Sequence, residues 1–286
     1  MIPIGIEIII MKNFVFKSIG NFINLTSVLF PKWSSNYAFD LLCKVKRVGI
    51  SKKGQEFFDS GTTTHLTAKG NSVVLHTWGT GSKHIIFLHG WMSNAQRWLP
   101  YAKKLDHSQF TIHALDLPGH GMATGNSLNL EMCRDALSQT LERVGKVDTI
   151  VCHSLGSLVA AYTYVHNPSI LVEKFVIMGS PSGMDAIFTY FESMLGLSRK
   201  AVRNLGKKIN SILLVPHTEV TLNHFFDKAT QPILVIHERT DKITPFQPIE
   251  QALQDQHNIV QYITQDQDHN LKGNHVVNKV IQFITQ

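Results

Sequence analysis

The stretch that most constrains the fold is Thr149-Ile150-Val151-Cys152-His153-Ser154-Leu155-Gly156-Ser157, an apolar run that passes through one serine directly into a helix-like segment. It reads as a strand, a sharp turn and a helix, with Ser154 at the tip. On such a turn the serine backbone is strained and its hydroxyl projects beyond the sheet edge, while the N–H of the next residue, Leu155, points at whatever the hydroxyl attacks. One loop then supplies a nucleophile and half of an oxyanion hole. The pattern approximates G-x-S-x-G with Cys152 in place of the first glycine. That place needs a small residue because strand and helix approach closely there, and cysteine is among the smaller side chains. The bland alternative is a Ser-Leu-Gly turn with no chemistry, and five residues alone do not decide between the two.

Other segments of the chain favour the chemical reading. His84-Ile85-Ile86-Phe87-Leu88-His89-Gly90-Trp91 is a continuous apolar run, as a buried parallel strand is, and it stops at His-Gly, where a second oxyanion N–H, that of Trp91, is expected. Thr111-Ile112-His113-Ala114-Leu115 leads into Asp116-Leu117-Pro118-Gly119-His120-Gly121. Further on, Pro232-Ile233-Leu234-Val235-Ile236-His237 places Asp241 just past a strand end, and Val260-Gln261-Tyr262-Ile263-Thr264 leads to His269. The order along the chain is serine, aspartate, histidine, each in a loop that follows a strand. Glu238 and Asp255 are the alternative acids should Asp241 fail.

That order, with the Leu88-His89-Gly90-Trp91, Asp116-to-Gly121 and His153-Ser154-Leu155-Gly156 strings, resembles the α/β-hydrolase superfamily from about Ser72 to the C-terminus. The resemblance implies an α/β fold with a mostly parallel, doubly wound sheet and a helical lid insertion. It implies a triad of Ser154, Asp241 and His269, with Trp91 and Leu155 giving the oxyanion N–H groups, and it leaves His89 and His120 to brace the neighbouring turns. Departures from the family pattern are Cys152, Glu238 where a glycine often sits, and Asp268 ahead of the histidine.

Short apolar runs alternating with amphipathic segments from about residue 72 agree with βα units. Asn129 caps a helix in which Leu130, Cys133, Leu137, Leu141 and Val144 recur at helical spacing; a second helix runs from Leu155 to about His166 and ends at Asn167-Pro168. After Phe175-Val176-Ile177-Met178 the next strand begins only near Pro232. The intervening segment, about 184 to 231, is helical in pattern, with Ile187, Phe188, Phe191, Met194 and Leu195 on one face. It is the expected lid, and Phe188 and Phe191, with His153 in the elbow, are the candidate pocket residues. Core packing is the alternative reading of that apolar stripe.

Residues 1 to 53 hold eight basic and two acidic residues, whereas the remainder holds nineteen of each, so the +6 net charge belongs to this N-terminal extension. Residues 54 to 286 then form the hydrolase domain. The extension also carries Phe14, Phe16, Ile19, Phe22, Ile23, Leu25, Val28, Leu29 and Phe30. It reads as a helix packed on the body or, alternatively, as a basic amphipathic segment in weak peripheral contact with an anionic membrane. Its first ten residues contain Glu7 and no cation, unlike a secretory leader, and Met11 ahead of Lys12 is a second candidate start. No run reaches the roughly 20 apolar residues of a membrane span. Cys43, Cys133 and Cys152 match no metal spacing and no even disulfide set, which suits a reducing, cytoplasmic setting.

Phosphate-cradling glycine loops and zinc-ligand arrays are missing from the sequence, so no cofactor, metal or nucleic-acid partner is expected. The expected activity is that of a carboxylesterase-like serine hydrolase of class EC 3.1, acting on an ester or thioester of a small to medium, partly apolar molecule. Two alternatives stay open. One is a C–C hydrolase of a ring-cleavage product, for whose second carboxylate Arg97 and Arg199 are candidate partners; the other is a ligand-binding receptor that kept the fold.

Overall fold

In the computed structural model, residues 4–167, 169–254 and 256–286 are described, with side chains from Phe14 onward. Eight strands form one sheet: β1 (Thr62–Ala68), β2 (Asn71–Trp78), β3 (Lys83–Leu88), β4 (Phe110–Asp116), β5 (Val147–His153), β6 (Val172–Met178), β7 (Ile233–Glu238) and β8 (Ile259–Thr264). Their spatial order is β1-β2-β4-β3-β5-β6-β7-β8; β1–β2 and β2–β4 pair antiparallel and every other pair is parallel. The helices are α1 (Ile4–Leu29), α2 (Pro31–Cys43), α3 (Lys52–Asp59), α4 (Leu99–Ala102), α5 (Leu130–Val144), α6 (Leu155–Val165), α7 (Met184–Leu195), α8 (Arg199–Asn210), α9 (Leu222–Lys228), α10 (Phe246–Ala252) and α11 (Asn274–Thr285). This is the mostly parallel α/β sheet that the alternating runs predict and the architecture that the resemblance implies.

Two compact units make up the chain. The first comprises residues 1–44 and 183–219, the second residues 45–182 and 220–286. In the second unit the central strands read as unbroken apolar runs because helices cover both faces of a parallel sheet. Ile85, Ile86, Phe87 and Leu88 of β3 have no exposed surface, and the same holds for Phe175 and Val176 of β6. Asn129 caps α5 by accepting from the Met132 N–H at 2.9 Å, and Cys133, Ala136 and Leu137 turn inward. The α6 helix runs Leu155–Val165, one residue short of the expected His166; of the Asn167-Pro168 stop, Pro168 falls outside the described residues.

The first unit is helical. The α1 helix meets α7 so closely that a Cβ on Gly20 would lie 1.8 Å from the Leu195 carbonyl oxygen. Asn24 ties it further: its amide donates to the Gly196 carbonyl at 2.8 Å and its oxygen accepts from the Ser198 N–H. Asn204 of α8 donates to the Ser27 carbonyl at 3.2 Å. Residues 1–44 therefore form one packed unit with much of the inserted segment. Val45 is already part of the sheet-bearing unit, donating to the Asn126 carbonyl at 2.8 Å, and Arg47 donates to Gly121 and Gly125. At the other end of the insertion α9 belongs to that unit as well, with Phe225 edge-on to Phe175 at 5.1 Å. Among the described residues no helix is long and apolar enough to cross a membrane.

Candidate active site

Ser154 sits at the junction of β5 and α6 with φ 54° and ψ −125°, a conformation that costs a non-glycine residue about 1–3 kcal/mol. Bonds on both sides hold it: the Ser154 N–H donates to the Met178 carbonyl at 2.8 Å, and its own carbonyl accepts from Ser157 N–H at 2.9 Å. The surrounding small residues are required by space. A Cβ on Gly156 would lie 2.6 Å from the His89 carbonyl oxygen, and one on Gly90 would lie 2.7 Å from the Ser154 Cβ. Cys152 is fully buried, its Sγ 3.2 Å from the Val176 carbonyl oxygen.

The loops after β7 and β8 bring the other two residues to this serine. His269 Nε2 lies 3.0 Å from Ser154 Oγ, and its Nδ1 lies 2.7 Å from Asp241 Oδ2. Nδ1–H donates to the carboxylate, which leaves the Nε2 lone pair facing the serine hydroxyl. Asp241 is built into an Asx turn: Oδ1 accepts from the N–H groups of Ile243 and Thr244 at 2.8 and 3.0 Å. Burial pushes the Asp241 carboxyl up, but the His269 hydrogen bond and the turn N–H groups outweigh it and hold the carboxyl at about 2. It is ionised at neutral pH.

Thr244 was not singled out by sequence. Its hydroxyl lies 2.9 Å from Asp241 Oδ2 and 3.1 Å from His269 Nδ1, bracing the pair from the side. The signal was present in Asp241-Lys242-Ile243-Thr244-Pro245, where an aspartate three residues before a threonine invites such a turn. Among the described residues no hydrogen bond or ion pair joins Glu238 to His269. Its Oε1 accepts from the Thr240 N–H and hydroxyl, and its Oε2 from the Thr264 hydroxyl and Gln267 N–H. It cross-links the two loops that carry Asp241 and His269, in the place where a glycine often stands. Asp255 lies outside the described residues.

Leu155 opens α6, so its N–H has no carbonyl one turn earlier within the helix. Trp91 follows Gly90 in the loop after β3. Two neutral histidines fix that loop. His89 donates from Nδ1 to the Gly90 carbonyl at 2.7 Å and accepts at Nε2 from the Leu117 N–H; His120 donates to Pro118 and accepts from the Met92 N–H at 3.1 Å. Burial lowers both, His120 to about 3, which keeps the accepting nitrogens free of protons.

A cavity of about 600 Å³ opens at Ser154 and His269, lined also by Trp91, Met92, Leu99 and His153. His153 donates from Nε2 to the His269 carbonyl at 2.8 Å, and burial holds it well below the usual histidine range. Phe188 and Phe191 are not in this lining; both are buried in the helical unit, Phe188 against the His217 ring at 4.7 Å. Arg199 is exposed on α8, whereas Arg97 lines the cavity.

The chain is 37% identical over 113 residues to the pimeloyl-acyl-carrier-protein methyl ester esterase of Proteus mirabilis, covering 39% of this chain and 42% of that protein. It is 35% identical over 148 residues to the same-named esterase of Cronobacter sakazakii, covering 50% of this chain and 55% of that one. The chain thus spans about half the length of the curated relatives that it matches. The crystal structure of a bromoperoxidase from Bacillus anthracis aligns with a TM-score of 0.62 at 16% identity, over 78% of this chain and 99% of that one, a likeness of fold alone. The sequence model of the Alpha/beta hydrolase family matches residues 85–262, more than half of the chain, and with the sheet order and the loops just described it makes this protein a member of that family.

Proposed function

We propose that the protein is a carboxylesterase-like serine hydrolase that cleaves an ester or thioester of a small to medium, partly apolar substrate through an acyl-enzyme on Ser154. One observation carries the reading: the hydrogen-bonded series from Asp241 through both nitrogens of His269 to the Ser154 hydroxyl. His269 takes the proton as the serine oxygen attacks the acyl carbonyl, and Asp241 holds the ring in the tautomer that can accept it. The backbone N–H groups of Leu155 and Trp91 would receive the oxyanion, each worth roughly 3 kcal/mol of barrier. His269 then returns the proton to the leaving group, activates water, and the acid is released. The names of the sequence relatives agree with ester hydrolysis. Turnover of a chromogenic short-chain ester, with fluorophosphonate labelling that disappears in Ser154→Ala, tests the assignment; labelling that persists in Ser154→Ala refutes it.

Chain order supports reading the segment after β6 as a lid. Three buried cysteines, with no disulfide among the described residues, support a reducing, cytoplasmic location. For the N-terminal helices we infer peripheral contact with an anionic lipid surface. Among the described residues, nine of the seventeen exposed large hydrophobic residues fall between Phe14 and Tyr37, so the apolar exposure is concentrated rather than scattered. Phe22, Trp33 and Tyr37 form one exposed aromatic cluster, with ring centroids 5.4 to 6.0 Å apart. No acidic residue occurs between Glu7 and Asp40, while Lys12, Lys17 and Lys32 do. Aromatic side chains beside cations, with no carboxylate, suit the headgroup region of an anionic bilayer.

A further inference from the structure

The cavity at Ser154 has a polar side that the triad does not use. Arg97 and Lys272 line it, and among the described residues no acidic side chain does. Arg97 gives one guanidinium N–H to the Asn270 carbonyl, yet its buried Nε has no hydrogen-bond partner among the described residues. Burial lowers this guanidinium to about 10, with Tyr101 and Asp268 opposing the shift. Asp268 does not pair with it directly: its two oxygens accept from the N–H and the side-chain amide of Asn270. Tyr101, four residues on, is only 3% exposed, lines the same cavity, and its hydroxyl has no partner among the described residues. Arg97 as a whole is half-buried, but a guanidinium Nε and a phenol hydroxyl withdrawn from water with no acceptor are costly unless something enters to accept them.

We propose that Arg97 and Tyr101, with Lys272 at the rim, form a subsite for a carboxylate carried by the ester substrate away from the bond that is cleaved. The proposal rests on the esterase reading above and names its substrate class. A carboxylate fits the donors: it takes two N–H or O–H bonds at once and supplies the negative charge that the lining lacks. Trp91, Met92, Leu99 and Val277 line the same cavity and would hold the aliphatic stretch between the scissile carbonyl and the acid. His153 marks a limit on the chemistry. Its Nε2–H is committed to the His269 carbonyl, so its unpartnered Nδ1 offers a lone pair, which repels a carboxylate and leaves the anion to Arg97 and Tyr101.

The test compares matched esters on the wild-type protein. On the acyl side the pair is the p-nitrophenyl monoester of adipic acid and p-nitrophenyl hexanoate. On the alcohol side it is 4-carboxyphenyl butyrate and phenyl butyrate. The expected result is a kcat/KM ratio of acid to neutral ester of about ten- to a hundredfold in at least one pair, the range that charged hydrogen bonds supply. In Arg97→Met that ratio should fall to near unity and in Tyr101→Phe by a smaller factor. An Arg97 that only steadies the His269 loop through Asn270 lowers both rates together and leaves the ratio intact, which overturns the proposal. So does a wild-type ratio near one in both pairs. Should Arg97→Met fail to label with fluorophosphonate, Tyr101→Phe and Lys272→Gln decide by the same ratio. Calorimetric binding of both esters to Ser154→Ala separates the two readings: binding that prefers the acid ester, without wild-type turnover, sinks the hydrolase reading alone, and turnover without acid preference sinks this one alone.

Discussion

The α5 and α1 helices solve the same packing problem in opposite ways. In α5, Cys133, Ala136, Leu137 and Leu141 turn inward and Glu142 and Arg143 turn out, the ordinary sorting for a helix on a sheet; the one buried charge, Glu131, accepts from the Tyr162 hydroxyl. In α1 the residues that pack are Gly20, Ile23 and Ser27, whereas Phe14, Phe22, Leu25, Val28 and Leu29 face outward. Small and polar groups make the contact, through the Asn24 and Ser27 backbone and side-chain bonds, and the apolar groups are left over. The difference teaches that apolar patterning sorts the two units differently. The sheet-bearing unit buries its apolar strand and helix faces and carries Ser154, Asp241 and His269; the helical unit leaves large apolar side chains exposed along α1 and α2 and carries none of the three.

Changes at the site should break one side of this contrast and spare the other. Ser154→Ala has the largest expected effect, a loss of hydrolysis by about a millionfold with vesicle binding unchanged; activity above a hundredth of wild type would reject Ser154 as the nucleophile. Asp241→Asn should cost about ten-thousandfold in kcat, because an amide at that place leaves the wrong histidine tautomer; near-normal turnover would remove Asp241 from the triad.

Gly20→Val comes next. The new side chain meets the Leu195 carbonyl, so the helical unit should lose on the order of 3 kcal/mol, seen as protease cleavage within 1–44 and 183–219. Cleavage confined to the body would overturn the division into units. Removal of residues 1–44 altogether should leave Leu195, Leu205 and Ile209 without cover and give insoluble protein.

Acid separates the units more gently. The Asp241 carboxyl is held near 2 against an ordinary 3.8, so its contribution is complete above 3.8 and disappears as pH falls from there through 2. It amounts to about 2 kcal/mol, and urea unfolding should show Asp241→Asn losing less than wild type over that interval. Equal losses in the two proteins would show that the carboxyl is not depressed.

The smallest effect is expected on the outer face of the helical unit. Trp33→Glu should weaken binding to phosphatidylserine vesicles about tenfold, high salt should weaken it further, and hydrolysis of a water-soluble ester should not change. Vesicle binding indifferent to Trp33 and to salt would refute the membrane reading and leave a protein partner for that face.

How much could be read from residues alone varied with the range over which the physics acts. The parallel strands β3 to β7 were legible because burial on both faces writes itself as apolar runs such as Ile85-Ile86-Phe87-Leu88, whereas β8, a partly exposed edge strand, was read from its β-branched and aromatic residues Val260, Tyr262, Ile263 and Thr264. The β1 strand, Thr62-Thr63-Thr64-His65-Leu66-Thr67-Ala68, lies at the sheet edge, carries no such run and was not anticipated. The elbow was legible as a local steric demand: Ser154 is strained by its own turn, and Gly156 must be glycine because the β3 backbone passes within van der Waals reach.

What the sequence by itself determined, then, is the succession of apolar strand runs and the choice of Ser154, Asp241 and His269 as candidates, since each follows a strand whose apolar pattern is visible without any partner; the structure brings the three within hydrogen-bond distance. Only the tertiary structure decided which residues outside the triad share its cavity. Arg97 and Arg199 are indistinguishable as letters, and one lines the cavity at Ser154 while the other stands on the surface of α8. It also decided that residues 1–44 form a unit with a segment some 140 positions later, and that the small, polar face of α1 is the one that packs. Hydrophobic patterning foretells which face turns from water when water is the alternative; where the packing is made by glycine, serine and asparagine, the pattern points the wrong way, and contacts distant in sequence settle the outcome.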